Sequence, residues 1–151
     1  MKISSDKSYL TAEQIEVFIL HQEKFFVPAI ASKVNLKEYS EKLLEQASLA
    51  FAVNENVIAG MIAFYCNDFN SKQAYISYFA IDDLHKGKGL GRKLLSNCIA
   101  QCQEANMNSI KVETWAGNAA GIHLYNSLGF RVTELVNDRQ NDMTARMTLI
   151  F

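Results

Sequence analysis

Proline occurs once in this chain, at Pro28, and tryptophan once, at Trp115. So little proline rules out a proline-rich linker, and the sequence has no internal repeat or low-complexity tract. No run approaches the roughly 20 consecutive apolar residues of a membrane-spanning helix. The opening Met1-Lys2-Ile3-Ser4-Ser5-Asp6 lacks the basic-then-apolar pattern of a secretory signal. Charge of one sign is missing too: 15 Lys and Arg stand against 16 Asp and Glu, so no global field recruits nucleic acid or an anionic membrane. Cysteine is scarce. Cys66, Cys98 and Cys102 have no metal-ligand spacing, and an odd count gives no disulfide framework. Cys98 and Cys102 fall one turn apart on a helix, a poor geometry for a disulfide. All three read as small buried hydrophobes in a reducing compartment. The expectation is a cytoplasmic protein with no metal site and no nucleic-acid or membrane partner.

What remains is an ordinary globular composition, 49% hydrophobic and 21% charged, over 151 residues. That length suits one domain, 1–151, with one substantial core. Thr11 with Gln14 three residues on forms a capping-box signature, and Ile15, Phe18, Ile19 and Gln22 follow at helical spacing. A helix is predicted over about 11–24, broken by Phe25-Phe26-Val27-Pro28. Asn35 is the cap of a second helix reaching about Ala47. The period then changes to two. Strands are predicted over 49–53, 57–66 and 73–82, joined by polar turns into a meander. A glycine-rich loop leads into a helix over about 89–105, with one stripe of Leu90, Leu94, Leu95, Cys98, Ile99 and Cys102. A strand over 109–115, a helix over 118–128 ending at Gly129, and strands over 130–136 and 143–151 complete the chain. This order predicts an α/β fold: a mixed, mostly antiparallel central sheet with helices on both faces.

The most specific segment is Phe79-Ala80-Ile81-Asp82-Asp83-Leu84-His85-Lys86-Gly87-Lys88-Gly89-Leu90-Gly91-Arg92. A strand enters a loop with three alternating glycines, and the loop enters a helix. Free N–H groups at a helix start, together with the helix dipole, favour an anion there. Glycines admit a phosphate close to the main chain. Lys86, Lys88, Arg92 and Lys93 add positive charge. A turn with solvated lysines explains a lone glycine pair, but not three glycines with four basic residues. The spacing is not that of a Walker A loop. A dinucleotide fingerprint would need its third glycine one residue later than Gly91, although Glu113 lies near the place of a ribose-binding acid. A site for some other nucleotide diphosphate stays open on these residues alone.

Lys86-Gly87-Lys88-Gly89-Leu90-Gly91 resembles the (Gln/Arg)-x-x-Gly-x-(Gly/Ala) pyrophosphate loop of the GNAT N-acetyltransferase family, with Phe79-Ala80-Ile81 at its Leu-Ala-Val strand end. A second signature matches: Val112-Glu113-Thr114-Trp115-Ala116-Gly117-Asn118, then Leu124-Tyr125, then Leu128-Gly129-Phe130. Together the signatures cover about half the chain. Lys86 replaces the usual Arg or Gln, and loses the planar fork of arginine. Asp83 stands where proline is common, and Thr114 where a hydrophobic residue is. Gly121 replaces alanine inside a helix, at a cost of up to about 1 kcal/mol unless something packs closely against it.

The resemblance implies a GNAT-like acyl-CoA N-acyltransferase fold, in which two parallel strands, 73–82 and 109–115, splay to admit the pantetheine arm of acetyl-CoA. It implies that the main chain at Phe79, Ala80 and Ile81 binds that arm. The amides of Gly87, Lys88, Gly89, Leu90, Gly91 and Arg92, with Lys86, bind the pyrophosphate. Asn118 caps its helix and touches the arm. Tyr125 contacts the cofactor and protonates the leaving sulfur; its spacing with Ile122 and Leu128 fits core packing equally well. Glu113, on the strand lining the splay, is the first candidate base, directly or through a water. An ordinary solvent-facing glutamate is the alternative. A backbone amide near Ile81 serves as oxyanion donor. His85 is a second titratable candidate, whereas His21 and His123 read as surface or packing residues.

The acceptor is expected to be a primary amine of a small molecule or peptide, attacking directly in a ternary complex. Its site would be walled by 25–36, by Tyr75, Tyr78 and Trp115, and by the loop 137–142 with Arg139. A period of two places Tyr75 and Tyr78 on opposite faces, so only one is expected to point into the cleft. A non-catalytic acyl-CoA-binding or regulatory module on the same fold is the competing reading. The sequence fits a monomer or a homodimer.

Overall fold

The computed structural model describes residues 1–137 and 142–151. Helix α1 is Ala12–Gln22 and opens on the expected capping box. Thr11 Oγ1 accepts from the Gln14 amide at 3.1 Å, and Gln14 Oε1 accepts from the Thr11 amide at 2.9 Å. Helix α2, Leu36–Gln46, is capped by Asn35 Oδ1, which accepts from the Glu38 amide at 3.0 Å. The segment between them is pinned by one side chain. The Glu23 carboxylate accepts from the amides of Ile30 (3.0 Å) and Ala31 (2.8 Å), so the end of α1 holds the loop that follows it.

Strands β1 (Ser48–Asn54), β2 (Val57–Tyr65) and β3 (Gln73–Ile81) form the antiparallel meander. Glu55 and Asn56 both take positive φ between β1 and β2, as a tight hairpin turn with the twist of its strands demands. Helix α3 is Leu90–Glu104, β4 is Ser109–Trp115, α4 is Ala119–Ser127, β5 is Arg131–Asn137 and β6 is Met143–Ile150. The sheet runs β1-β2-β3-β4-β6-β5. Among the described residues its one parallel pair is β3 with β4, because α3 carries the chain back across the sheet between them. β6 inserts between β4 and β5, so the last two strands are not added in chain order.

Two cores lie on the two faces. Ile15, Phe18 and Ile19 of α1 and Leu43 of α2 pack on Leu49, Phe51, Met61 and Ala63. On the opposite face Leu94, Leu95, Cys98 and Cys102 of α3, with Tyr125 of α4, pack on Ala50, Ile62, Phe64, Ile110 and Val112. β2 is covered on both sides, which explains why its sequence is apolar almost throughout rather than alternating. Each such Leu, Ile or Phe contributes roughly 1.5–3 kcal/mol by burial. Cys98 and Cys102 are buried and Cys66 half-buried, all as free thiols. Among the described residues no helix is long and apolar enough to cross a membrane, and no cluster of His, Cys, Asp and Glu is arranged to hold a metal.

Candidate functional site

β3 and β4 separate where the resemblance puts the splay. They pair from Gln73 opposite Ser109 to Ile76 opposite Val112, and no further. Beyond that point β3 stays paired to β2 and β4 to β6, so each remains extended while the gap between them opens. A bulge triggers the separation. Ala63 faces Tyr78 and Phe64 faces Ile76, which leaves Ser77 as the extra residue on β3. The Tyr39 hydroxyl holds the bulge at 2.9 Å from Ser77 Oγ and 3.3 Å from its carbonyl oxygen.

The bulge corrects one expectation. Tyr75 and Tyr78 are three residues apart, yet both line the cleft, because the extra residue restores them to the same face. The cleft has a volume of about 580 Å³ and continues from the splay to the glycine loop and to the loop after α1.

At the glycine-loop end of the cleft, Gly87 and Gly89 take φ of 77° and 81°, the left-handed region that disfavours any side chain. Gly89 is the N-cap of α3 and offers no side-chain oxygen, so the first amides of the helix stay uncapped by any side chain. No atom lies within 4 Å of where a β-carbon would stand on either glycine, so the loop faces open space. These features fit a pyrophosphate: uncapped amides, a positive dipole end and an unobstructed approach. Phe79, Ala80, Ile81, Lys86, Gly87, Gly89, Leu90, Gly91 and Arg92 all border the cleft, as do Asn118 and Tyr125. Lys88 is exposed and does not border it. Lys86 Nζ lies 3.6 Å from an Asp83 carboxylate oxygen and 3.8 Å from the centre of the Phe25 ring. Arg92 Nη1 donates to Ser127 Oγ at 3.1 Å, which ties α3 to the end of α4. His85 borders the cleft and approaches Asp82 at 3.4 Å, while His21 and His123 are exposed.

At the splay, Tyr125 is 5% exposed between Phe79 (6.1 Å between ring centres) and Phe130 (5.3 Å). Burial pushes its hydroxyl above the ordinary phenol range, so it stays protonated across neutral pH. Asn118 Oδ1 accepts from the Gly121 amide at 3.1 Å, and its Nδ2 donates to Thr114 Oγ1 at 3.0 Å. Those two bonds give a physical reason for two departures from the family pattern. A hydroxyl at 114 braces the cap, and a β-carbon at 121 would stand 2.8 Å from Asn118 Cγ. Gly121 thus leaves room for the capping side chain, which a β-carbon would have to displace.

Glu113 borders the cleft from β4, and its Oε1 accepts from Arg146 Nε at 2.9 Å. Arg146 is directly opposite it on β6 and donates through Nη1 to Glu134 of β5 at 3.0 Å. The three charges form a row across three strands. Arg146 carries no local sequence signal, because its pairing with Glu113 depends on the register of β6 against β4. Gln22 was legible as a polar residue on the apolar stripe of α1, but its place on the cleft wall was not. Trp115 borders the cleft, as do Phe25, Phe26, Val27, Pro28, Ile30 and Lys33 from the stretch 25–36, whereas the expectation for Arg139 lies outside the described residues.

A mixed sheet whose central parallel strands splay beside a glycine loop at a helix start defines the acyltransferase class of fold. The model of the acetyltransferase (GNAT) family matches residues 15–130, and the chain belongs to that family. Two curated relatives are the ribosomal protein bS18-alanine N-acetyltransferase of Escherichia coli (strain K12) and the L-amino acid N-acyltransferase MnaT of the same strain. The first is 34% identical over 82 residues, 54% of this chain and 54% of the relative. The second is 45% identical over 49 residues, 32% of this chain and 28% of the relative. The chain therefore matches at most about half the length of these relatives. The crystal structure of a ribosomal-protein-alanine N-acetyltransferase from Brucella melitensis superposes with a TM-score of 0.77 at 18% identity, over 100% of both chains, which shows the shared fold.

Proposed function

We propose that this protein is an acetyl-CoA-dependent N-acetyltransferase that passes the acetyl group to a primary amine of a small molecule or peptide, with both substrates bound at once. The observation that carries the reading is the cleft itself. Strands β3 and β4 part within one strand length of a glycine loop whose helix start is left uncapped by any side chain, and the buried Tyr125 lines the same cleft. Family membership and relatives named as N-acetyltransferases support the same reading.

Acetyl-CoA supplies an activated acyl carbon on sulfur. In the proposed reaction the main chain of 79–81, paired to β2 on one side and open toward β4 on the other, binds the pantetheine arm as an added strand would. The amides from Gly87 to Arg92 take the pyrophosphate, with Lys86 as an additional positive charge. Asn118 holds the start of α4, which keeps Tyr125 beside the splay.

An alkylamine has a pKa of about 10.4, so it must shed a proton before it can attack. Glu113 takes that proton directly or through a water, with Arg146 fixing its carboxylate. As the amine nitrogen bonds to the acyl carbon and the carbon–sulfur bond breaks, the Tyr125 hydroxyl hydrogen-bonds to the departing sulfur and gives it a proton, then regains one from solvent. Because burial raises Tyr125, it is a weak acid, and its proton moves as the carbon–sulfur bond breaks rather than before. An amide near Ile81 stabilises the negative charge that develops on the acyl oxygen.

The test has two stages. Calorimetric titration with acetyl-CoA, and with ADP and NAD as controls, should show selective binding of acetyl-CoA. A panel of amines is then screened for thiol release and for the acetylated product by mass spectrometry. Equal binding of all three ligands, or no acetylated product from any amine, would overturn the proposal.

A further inference from the structure

One polar side-chain atom is buried without a hydrogen-bond partner among the described residues: the hydroxyl of Tyr78. The residue is 2% exposed and borders the cleft. A phenol left unpaired in the interior is destabilising relative to one that is bonded, so such a group calls for a partner. Its ring is held on two sides. Phe18 of α1 meets it edge-on at 6.4 Å, and Phe26 stacks flat on it at 5.0 Å between centres.

A second polar group lies on the same wall. Gln22 follows Phe18 by one turn on the inner face of α1, is 2% exposed, and borders the cleft. Gln22 and Tyr78 thus offer this wall of the cleft an amide and a buried hydroxyl that lacks a partner among the described residues. They stand on the α1 face, with Phe26 and the loop that Glu23 pins, whereas the glycine loop continues into α3 on the other face.

We infer that Tyr78 and Gln22 are specificity-determining residues of the acceptor pocket, donating hydrogen bonds to a carbonyl or carboxylate oxygen next to the reacting amine. The inference rests on the acetyl-transfer reading above and deepens it. A phenol O–H and an amide N–H together suit an oxygen acceptor. Phe26 and Pro28 beside them offer apolar surface to the rest of the molecule. The acceptor class is an amine with a neighbouring carbonyl, such as an amino-acid amide or a peptide N-terminus, rather than a simple alkylamine. A site built around polar groups rejects a ligand lacking their partner, because those groups then stay unpaired.

The experiment compares, at equal concentrations of the unprotonated amine because a neighbouring carbonyl lowers amine basicity, matched acceptors that differ by a carboxamide: L-phenylalaninamide with phenethylamine, L-leucinamide with isopentylamine, and L-alaninamide with ethylamine. For the wild type, kcat/KM should favour the amide over its partner amine by about tenfold or more. In Tyr78→Phe and Gln22→Met that preference should shrink by about tenfold, with the loss in the acceptor KM rather than in kcat. Tyr78→Phe should also melt at the same temperature as the wild type or higher, since it removes a hydroxyl that nothing satisfies; a hydroxyl serving the fold would instead lower it. Wild-type enzyme that acetylates both members of every pair equally, or a Tyr78→Phe variant that keeps the full preference, overturns the inference and leaves acetyl transfer standing. Wild-type enzyme that acetylates none of the amines overturns both.

Discussion

Glu113 on β4 and Arg146 on β6 face each other across the sheet, with Oε1 2.9 Å from Nε, and Arg146 reaches on to Glu134 at 3.0 Å. The carboxylate that borders the cleft is therefore held from behind. Its partner keeps a second acidic contact whatever happens at 113, so the position can be altered without stranding a lone charge.

Glu113→Gln should lower kcat by about 10²-fold, the usual range for losing a general base, and leave the acetyl-CoA dissociation constant within about twofold. Steady-state thiol release and calorimetry measure the two quantities. A variant turning over at the wild-type rate would assign the amine proton to solvent or to another group.

Tyr125→Phe should also reduce kcat, by about 10²-fold, with little change in cofactor affinity. A collapse of affinity with turnover intact under saturating acetyl-CoA would make Tyr125 a packing residue.

Alkaline stability offers a third check. Burial is the main cause that raises the hydroxyls of Tyr39, Tyr65, Tyr75, Tyr78 and Tyr125. The folded chain keeps these protons to higher pH than the unfolded chain, so the stabilisation is complete below the unfolded value near 10 and is lost as pH rises beyond it. Melting temperature should fall from about pH 10 upward, and it should fall less steeply in Tyr125→Phe. Parallel curves for the two proteins would contradict the effect of burial at Tyr125.

Gly121→Ala separates helix propensity from capping. Propensity alone predicts a gain of up to about 1 kcal/mol. The close approach of Asn118 predicts a net loss of about 1 kcal/mol instead, because the new β-carbon displaces the side chain that accepts from the 121 amide. Urea denaturation reads the sign directly.

Gly89→Ala should weaken acetyl-CoA binding by about tenfold or more. Alanine at a φ of 81° is disfavoured by about 1–2 kcal/mol, and relief of that strain would turn the uncapped amides away from the cleft. Unchanged affinity in a folded variant would remove the loop from the binding site.

Most of the fold was legible because it is written in local periodicity. The capping box at Thr11 and Gln14, the cap at Asn35, and the change of period from helix to strand at 47–49 each depend on neighbours within a few residues. The glycine loop was legible for the same reason: positive φ at Gly87 and Gly89 and a helix start at Leu90 are local facts. Ser77 was not. A bulge arises only when two strands are laid side by side and one has a residue too many, and that single residue moved Tyr78 onto the face of Tyr75.

The sequence by itself determined the elements, the apolar stripes and the two family signatures, since backbone preference and side-chain period act over short distances along the chain. Tertiary structure alone decided which side chains meet. It inserted β6 between β4 and β5 and so paired Arg146 with Glu113. It closed Gly121 against Asn118, and it brought Gln22 and Tyr78, whose hydroxyl has no partner among the described residues, to the wall of one cleft. Those relationships depend on register and packing between segments far apart in the chain, and they exist only once the sheet is assembled.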